Sequence, residues 1–123
     1  MLADRAHCAV FLAWRTVEGE PGDAGSVVRE AAGVATATWS AGVEYTRSAE
    51  LGDLYVVPAA RGRGIAAALI EAVTDWSRAQ GCRALLVTVA PDGELSHGLT
   101  GFYVRRGFTD EYRKLLALDL EAS

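Results

Sequence analysis

A single stretch, residues 51–80, decides the fold: it reads LGDLYVVPAARGRGIAAALIEAVTDWSRAQ. Its first part is a β-favouring run that stops at Pro58, whose fixed φ and missing N–H suit the end of a strand. A glycine- and arginine-rich turn, RGRG at 61–64, follows directly. From Ile65 onward, apolar residues recur at spacings of three and four, which indicates a helix with one buried face. The stretch therefore predicts a strand, a turn and a helix in direct succession.

The turn lies where the predicted helix begins, and that position favours anion binding. The first N–H groups of a helix have no internal partners and carry the positive end of the helix dipole, so a turn flanked by arginines can hold a phosphate or diphosphate. The spacing matches neither G-x-x-x-x-G-K-[ST] nor G-x-G-x-x-G, because the third residue after Gly64 is Ala67. It does match [QR]-x-x-G-x-[GA], with Arg61, Gly64 and Ala66 in the fixed positions.

This hexapeptide, preceded by V-x-P at 56–58, resembles the acyl-CoA-binding motif of the GNAT superfamily of N-acetyltransferases. A second segment, GFYVRRGF at 101–108, resembles the family's [LF]-Y-x-x-x-G-F. The resemblance covers roughly residues 50–120. It implies an acetyl-CoA-dependent N-acetyltransferase in which a primary amine of a small molecule or peptide attacks the thioester directly.

The resemblance also implies which residues bind the cofactor. Two parallel strands, at about 51–57 and 84–90, would splay apart and hold the pantetheine arm of acetyl-CoA between them. The implied cofactor-binding positions are Leu54, Tyr55, Val56, Arg61, Gly62, Arg63, Gly64, Ile65, Ala66, Ala67 and Ser96. Ser96 stands where the family commonly has Asn, and Leu99 where it has Ala, so segment 91–97 departs from the family pattern. Ser96 is expected to donate a hydrogen bond or to cap a helix.

Tyr103 occupies the position of the family's tyrosine that protonates the departing CoA thiolate. A phenol suits this role because it is neutral at pH 7 and can donate its proton. The alternative is that Tyr103 only packs in the core beside Phe102, and both Phe102 and Phe108 are expected to be packing residues.

A carboxylate is expected to take the proton of the attacking amine, directly or through water. Asp53 is the first candidate, and Glu94 and Glu50 follow. Each of them is alternatively a solvated surface acid. A main-chain N–H near Val56 is expected to hold the tetrahedral oxyanion.

Composition limits the function further. A chain of 123 residues, half hydrophobic and 23% charged, predicts a single folded domain, 1–123, and argues against disorder. A net charge of −4 argues against a protein that wraps nucleic acid. The apolar run 8–14 is too short to span a membrane, so a cytoplasmic protein is expected. Cys8 and Cys82 are expected to be reduced structural residues, and neither histidine has a partner at metal-ligand spacing.

The remaining pattern predicts a mixed α/β sheet, mostly antiparallel, with a central parallel βαβ unit. The expected elements are a strand at 7–17, a turn at 19–25, two β segments within 26–46 broken near 32–33, a strand at 84–90, a loop at 91–94, a short helix at about 96–106 and a last strand at 112–120.

The N-terminal half is shorter than the family pattern leads one to expect. Only residues 1–50 precede the central strand, and no convincing pair of helices fits between 18 and 45. The acceptor cleft is then open or completed by a partner subunit, which makes a homodimer an expectation. Two alternatives stay open: a non-catalytic acyl-CoA-binding module, and an acyltransferase acting on aminoacyl-tRNA. Acidic loops hint at a cationic acceptor.

Overall fold

The computed structural model describes residues 7–18, 27–42 and 46–121. They belong to two compact units, one within Met1–Thr88 and one within Val89–Ser123, so that a single domain over the whole chain stays a prediction. The first unit contains a four-stranded sheet in the order β1-β2-β3-β4. Its strands are β1 (Cys8–Glu18), β2 (Val27–Gly42), β3 (Thr46–Val56) and β4 (Ala84–Val87).

The pairing of the strands confirms the predicted mixed sheet. β1 pairs with β2, and β2 with β3, in antiparallel orientation, whereas β3 and β4 are parallel. The connection from β3 to β4 consists of a short 3-10 turn, Pro58–Ala60, and the helix α1, Ile65–Ala79. This is the βαβ unit that the sequence predicts between residues 51 and 90.

The core of this unit lies between α1 and the sheet. The apolar stripe of α1 contacts all four strands, and the ring of Phe11 on β1 meets the edge of Trp76 on α1 at a centroid distance of 6.4 Å. Burying such a stripe stabilises a helix more than its intrinsic propensity does. The buried apolar residues of the unit are Ala32, Ala35, Ala37, Ala49, Leu51, Val56, Ala60, Leu69, Ile70 and Val73.

The two β segments expected within 26–46 are wrong, because β2 is one continuous strand. The expected break is instead a β-bulge. Ala13 pairs with Gly33 and Trp14 pairs with Ala31, which leaves the fully buried Ala32 as the extra residue. A bulge bends a strand without ending it, and it places an unpaired residue where the sequence suggests an interruption. The turn expected at 19–25 lies outside the described residues.

The two parallel strands differ in extent from their predicted bounds. β3 begins at Thr46 and ends at Val56, so it is longer than the expected 51–57. β4 ends at Val87 rather than at residue 90, and Leu86 is 40% exposed. The apolar run 84–90 is thus only partly strand, since β4 pairs with β3 over four residues and, within the described chain, with no other strand.

The second unit contains two short helices, α2 (Pro91–His97) and α3 (Leu99–Val104). The expected loop at 91–94 is wrong, because Pro91 occupies the first helical position, where proline is favoured, and acidic residues occupy the first turn. The expected single helix at 96–106 is interrupted by Gly98, which adopts the left-handed conformation at φ 57°. A non-helical residue there ends α2 and begins α3.

The predicted last strand at 112–120 is also wrong, since the segment has no regular structure and its large apolar side chains are exposed. Tyr112 has a φ of 55°, which is not an extended conformation. Its N–H donates to Asp110 Oδ1, and the N–H of Glu121 donates to Asp119 Oδ1. Such local Asx bonds compete with strand pairing. The alternation of Leu116, Leu118 and Leu120 alone does not produce a strand without a partner.

Candidate functional site

The pairing of β3 with β4 ends part-way along β3. Their parallel pairing covers only Ser48–Leu51 and Ala84–Val87. Beyond Leu51, β3 continues to Val56 while it stays paired with β2 on its other edge. From Gly52 onward, the edge of β3 on the β4 side therefore carries no strand among the described residues. Leu54, Tyr55 and Val56 lie along this edge.

A second bulge lies where β3 leaves β4. Ala35 pairs with Leu54 and Ala37 with Leu51, so that Thr36 on β2 faces both Gly52 and Asp53. The Thr36 hydroxyl donates to Asp53 Oδ2 at 2.9 Å and accepts the main-chain N–H of Asp53 at 2.8 Å. A Cβ on Gly52 would lie 2.7 Å from Thr36 Oγ1, so only glycine fits beside this hydroxyl. The exposed Asp53 is thus held at the start of the separation.

The turn after β3 is tied back to the end of the strand. The N–H of Val57 donates to the carbonyl of Ala32 at 2.8 Å, and Arg61 Nε donates to the carbonyl of Val56 at 2.9 Å. The Arg61 guanidinium also lies 5.6 Å from the ring centroid of Tyr55, within cation–π range. Arg61 therefore holds the turn against the end of the strand.

The N-terminus of α1 is open. Gly62 and Gly64 have φ values of 78° and 79°, both are exposed, and a Cβ on either would meet nothing within 4 Å. Gly64 is the N-cap residue, α1 has no side-chain cap, and its first turn contains no acidic residue. Arg63 is exposed beside it. The N–H groups of residues 65–67, at the positive end of the dipole, are therefore available to an anion such as a diphosphate.

Glu94 has a structural contact in the second unit. Its Oε2 accepts the N–H of Thr100 at 2.9 Å, so that its carboxylate caps the start of α3. Hydrogen bonds from the Thr100 hydroxyl and then from the Thr100 N–H hold the pKa of Glu94 below its ordinary value. Ser96 is exposed within α2, and the expectation that it caps a helix is wrong because the N-cap residues of the two helices are Ala90 and Gly98.

Tyr103 is buried on α3 among aromatic rings. Its ring meets those of Phe102 and Phe108 edge to face, at centroid distances of 5.2 and 5.3 Å. The packing predicted for both phenylalanines is thus present. Burial raises the pKa of the Tyr103 phenol above its ordinary value, which keeps the proton on the oxygen at neutral pH. Its role as proton donor stays a prediction.

Sequence reasoning missed Thr36 and Gly52. Thr36 and Asp53 are 17 residues apart, and only the register of the bulge brings them together. The one usable signal was Gly52 itself, because a glycine inside a strand pattern often marks a bulge. Within residues 7–18, 27–42 and 46–121, no three His, Cys, Asp or Glu side chains are placed to hold a metal ion. Cys8 and Cys82 are both free thiols.

A sequence profile described as the Acetyltransferase (GNAT) family matches residues 3–108. The chain belongs to the GNAT acetyltransferase family. The end of β3 and the open N-terminus of α1 lie in the segment 51–67, where the sequence predicted the GNAT cofactor-binding motif. Over the part of the chain that the structure describes, no helix has the length and hydropathy of a membrane span.

Several known proteins are similar to this GNAT chain. Glucosamine 6-phosphate N-acetyltransferase 1 of Oryza sativa subsp. japonica is 32% identical over 59 residues, which are 48% of this chain and 32% of that protein. The chain thus spans about a third of this curated relative. The structure of aminoglycoside N-acetyltransferase AAC(6')-Iy in complex with CoA aligns with a TM-score of 0.69 and 25% identity over 91% of this chain and 75% of that one.

A further solved structure supports the fold alone. An acetyltransferase of Trypanosoma brucei aligns with a TM-score of 0.63 at 21% identity, over 97% of this chain and 73% of that one.

Proposed function

We propose that this chain is an acetyl-CoA-dependent N-acetyltransferase that acetylates a primary amine of a small molecule or peptide. One observation carries the proposal: the separation of β3 from β4 after Leu51 and the open N-terminus of α1 belong to one βαβ unit. An acyl-CoA has two parts that fit these features, an extended pantetheine arm and a diphosphate. Membership of the GNAT family supports acetyl-CoA as the acyl donor.

The residues of the βαβ unit fit such a donor. The main chain of Leu54, Tyr55 and Val56 is proposed to bind the pantetheine arm along the edge that β4 leaves. The N–H groups of residues 62–67 and the exposed Arg63 are proposed to bind the diphosphate, with the terminal nitrogens of Arg61 nearby. Recognition by main-chain groups explains why these positions need no polar side chain beyond the arginines. Ser96 remains a proposed cofactor contact.

Transfer requires two proton movements. The amine nitrogen attacks the thioester carbonyl carbon, the C–S bond breaks, and the amine loses a proton while the thiolate gains one. Asp53 is proposed as the base, because its exposed carboxylate lies where the strands separate. Glu94 is a weaker candidate because its carboxylate already caps α3, and Glu50 because it lies in the paired part of β3. Tyr103 is proposed as the acid, since burial keeps its phenol protonated at neutral pH.

The acceptor is proposed to be an amino sugar or a similar small amine. The names of two relatives, a glucosamine 6-phosphate and an aminoglycoside N-acetyltransferase, support this class. A cytoplasmic location and a homodimer that completes the acceptor cleft remain predictions.

Thiol release tests the proposal. The protein is incubated with acetyl-CoA and a panel of amino sugars, polyamines and lysine peptides, and a thiol reagent follows free CoA. We expect turnover on at least one amine, and Tyr103→Phe should lower kcat by about 100-fold while CoA still binds. Tyr112→Phe, a change at an exposed tyrosine, is the matched control. Tight CoA binding without turnover on any amine would instead favour a non-catalytic acyl-CoA-binding module.

A further inference from the structure

The hydroxyl of Thr36 makes two hydrogen bonds to the same residue on the neighbouring strand. It accepts the main-chain N–H of Asp53 and donates to Asp53 Oδ2, at 2.8 and 2.9 Å. One bond holds the backbone of the bulge and the other holds the carboxylate. Asp53 Oδ1 has no partner within the part of the chain that the structure describes. The carboxylate is thus oriented through one oxygen and left open at the other.

We infer that Thr36 is a positioning residue that aims the Asp53 carboxylate at the attacking amine, an inference that rests on the proposed function. An exposed aspartate on a regular strand samples several rotamers, and fixing one of them in advance lowers the entropic cost of proton transfer. Thr36 donates to Oδ2, so the lone pairs of Oδ1 are the ones that face a proton. The bond comes from β2, a strand that is not part of the predicted cofactor motif.

Gly52 supports the hydrogen bonds between Thr36 and Asp53. Because its Cβ would lie 2.7 Å from Thr36 Oγ1, any larger residue forces the threonine hydroxyl to move. The neighbouring atom is not the far end of a flexible side chain but the hydroxyl of a β-branched residue, which is stiff at χ1. Gly52 therefore preserves the position of the Thr36 hydroxyl, which in turn bonds the Asp53 carboxylate.

Kinetics of five variants test the inference. The first three are Thr36→Val, which removes the hydroxyl at constant shape, Thr36→Ser, which keeps it, and Thr38→Val, a control two residues along β2. Asp53→Asn and the double variant with Thr36→Val complete the set. For each variant, kcat, the KM for acetyl-CoA, the CoA dissociation constant from calorimetry and the melting temperature are measured.

We expect Asp53→Asn to lower kcat about 100-fold and Thr36→Val about tenfold, with CoA affinity unchanged. Thr36→Ser and Thr38→Val should keep kcat within about twofold of the wild type. In the Asp53→Asn background, Thr36→Val should lower kcat no further, because it acts through the carboxylate that is gone. A purely structural threonine would change stability but would not show this loss of effect in the second background.

Gly52→Ala provides a second route in case Thr36→Val folds poorly. It should lower kcat like Thr36→Val and should likewise have no effect on top of Asp53→Asn. Gly42→Ala on the same sheet, where a Cβ would meet nothing within 4 Å, is its control. Equal losses of kcat in both backgrounds would overturn the inference while leaving an active acetyltransferase. An unimpaired Asp53→Asn would do the same. A wild type that binds CoA but acetylates no amine would overturn the proposed function and the inference together.

Discussion

Two helices of this protein begin after a left-handed glycine, but their N-termini differ in how they are capped. α1 begins after Gly64, at φ 79°, and α3 after Gly98, at φ 57°. At α3, the carboxylate of Glu94 accepts a hydrogen bond from the N–H of Thr100 and so caps the helix. At α1 no side chain among the described residues does so, and the first turn contains no acid. The chain thus supplies its own anion to α3, whereas the start of α1 is where we propose that an external anion binds.

The difference follows from how each helix is stabilised. α1 has 15 residues and buries Leu69, Ile70 and Val73 against the sheet, so packing rather than capping holds it in place. α3 has six residues and buries only Tyr103. A helix of that length has few internal hydrogen bonds, and a charged cap contributes a larger share of its stability. Because packing stabilises α1, its first N–H groups need no side-chain cap.

The largest expected effect comes from giving α1 the acid that it lacks. Ala67→Glu places a carboxylate at the third position of the helix, where it can reach back to the N–H of Gly64. We expect the dissociation constant for CoA to rise at least about 100-fold, because the new charge competes with the diphosphate and repels it. The unfolding free energy should rise by about 0.5 kcal/mol, since the charge complements the dipole.

Ala67→Gln is the matched control for that change, because it has nearly the same size and no charge. It should weaken CoA binding much less than the glutamate does. Titration calorimetry gives the affinities and chemical denaturation gives the stabilities. If the glutamate and glutamine variants bind CoA equally well, the diphosphate does not lie at the start of α1.

A smaller effect is expected from the two glycines themselves. Gly64→Ala and Gly98→Ala each force a Cβ into the left-handed region, which costs about 1 kcal/mol of folding stability, and neither Cβ meets a neighbour within 4 Å. The two variants therefore introduce the same kind of backbone strain without a steric clash. Only Gly64→Ala should also weaken CoA binding, by about tenfold, because relaxing the strain tilts the N–H groups of the turn. Equal CoA affinities in the two variants would contradict this assignment.

The arginine side chains of the turn should contribute less to CoA affinity than the main-chain N–H groups do. Arg63→Gln removes one exposed charge, and we expect CoA affinity to fall about fivefold at low salt, with a smaller loss at high salt because exposed charges are screened. Arg83→Gln is the control, since it makes the same change in net charge at an exposed position outside the turn. The measurement is CoA affinity at two ionic strengths. A loss that is equal in the two variants would mean that net charge alone, and not the turn, attracts the ligand.

The βαβ unit was predictable because its signals are local. The apolar stripe that starts at Ile65 and the glycines at 62 and 64 specify a helix and an open turn within a few residues of each other, and the structure has both. The patterns for the strand, the turn and the helix there are consistent with one another, as is expected where a segment determines its own conformation. The family motif lies in this same segment, so the resemblance and the physical pattern predicted the same site.

The features that sequence reasoning missed depend on partners distant in the chain. The bulge that joins Thr36 to Asp53 is a property of strand register, which no local pattern contains. The predicted last strand was wrong for the opposite reason, because the alternation of Leu116, Leu118 and Leu120 is a local signal. Tyr112 at φ 55° and an Asx bond at each end of the segment oppose an extended chain. Period-two alternation predicts which face a strand would bury, and not whether a partner is there to receive it.

The smallest expected effect concerns α3 and tests whether the Glu94 carboxylate caps it. Hydrogen bonds from Thr100 lower the pKa of Glu94 in the folded protein, so the cap is fully present above the pKa of an unfolded glutamate, about 4.3, and is lost as the pH falls through the lower folded value. The amide proton resonance of Thr100, followed by NMR, should therefore shift in that acidic range. Glu94→Gln should abolish the transition, and Asp92→Asn should not. A transition above pH 4.3 would mean that hydrogen bonds from Thr100 do not stabilise the charged carboxylate of Glu94, so that Glu94 does not cap α3.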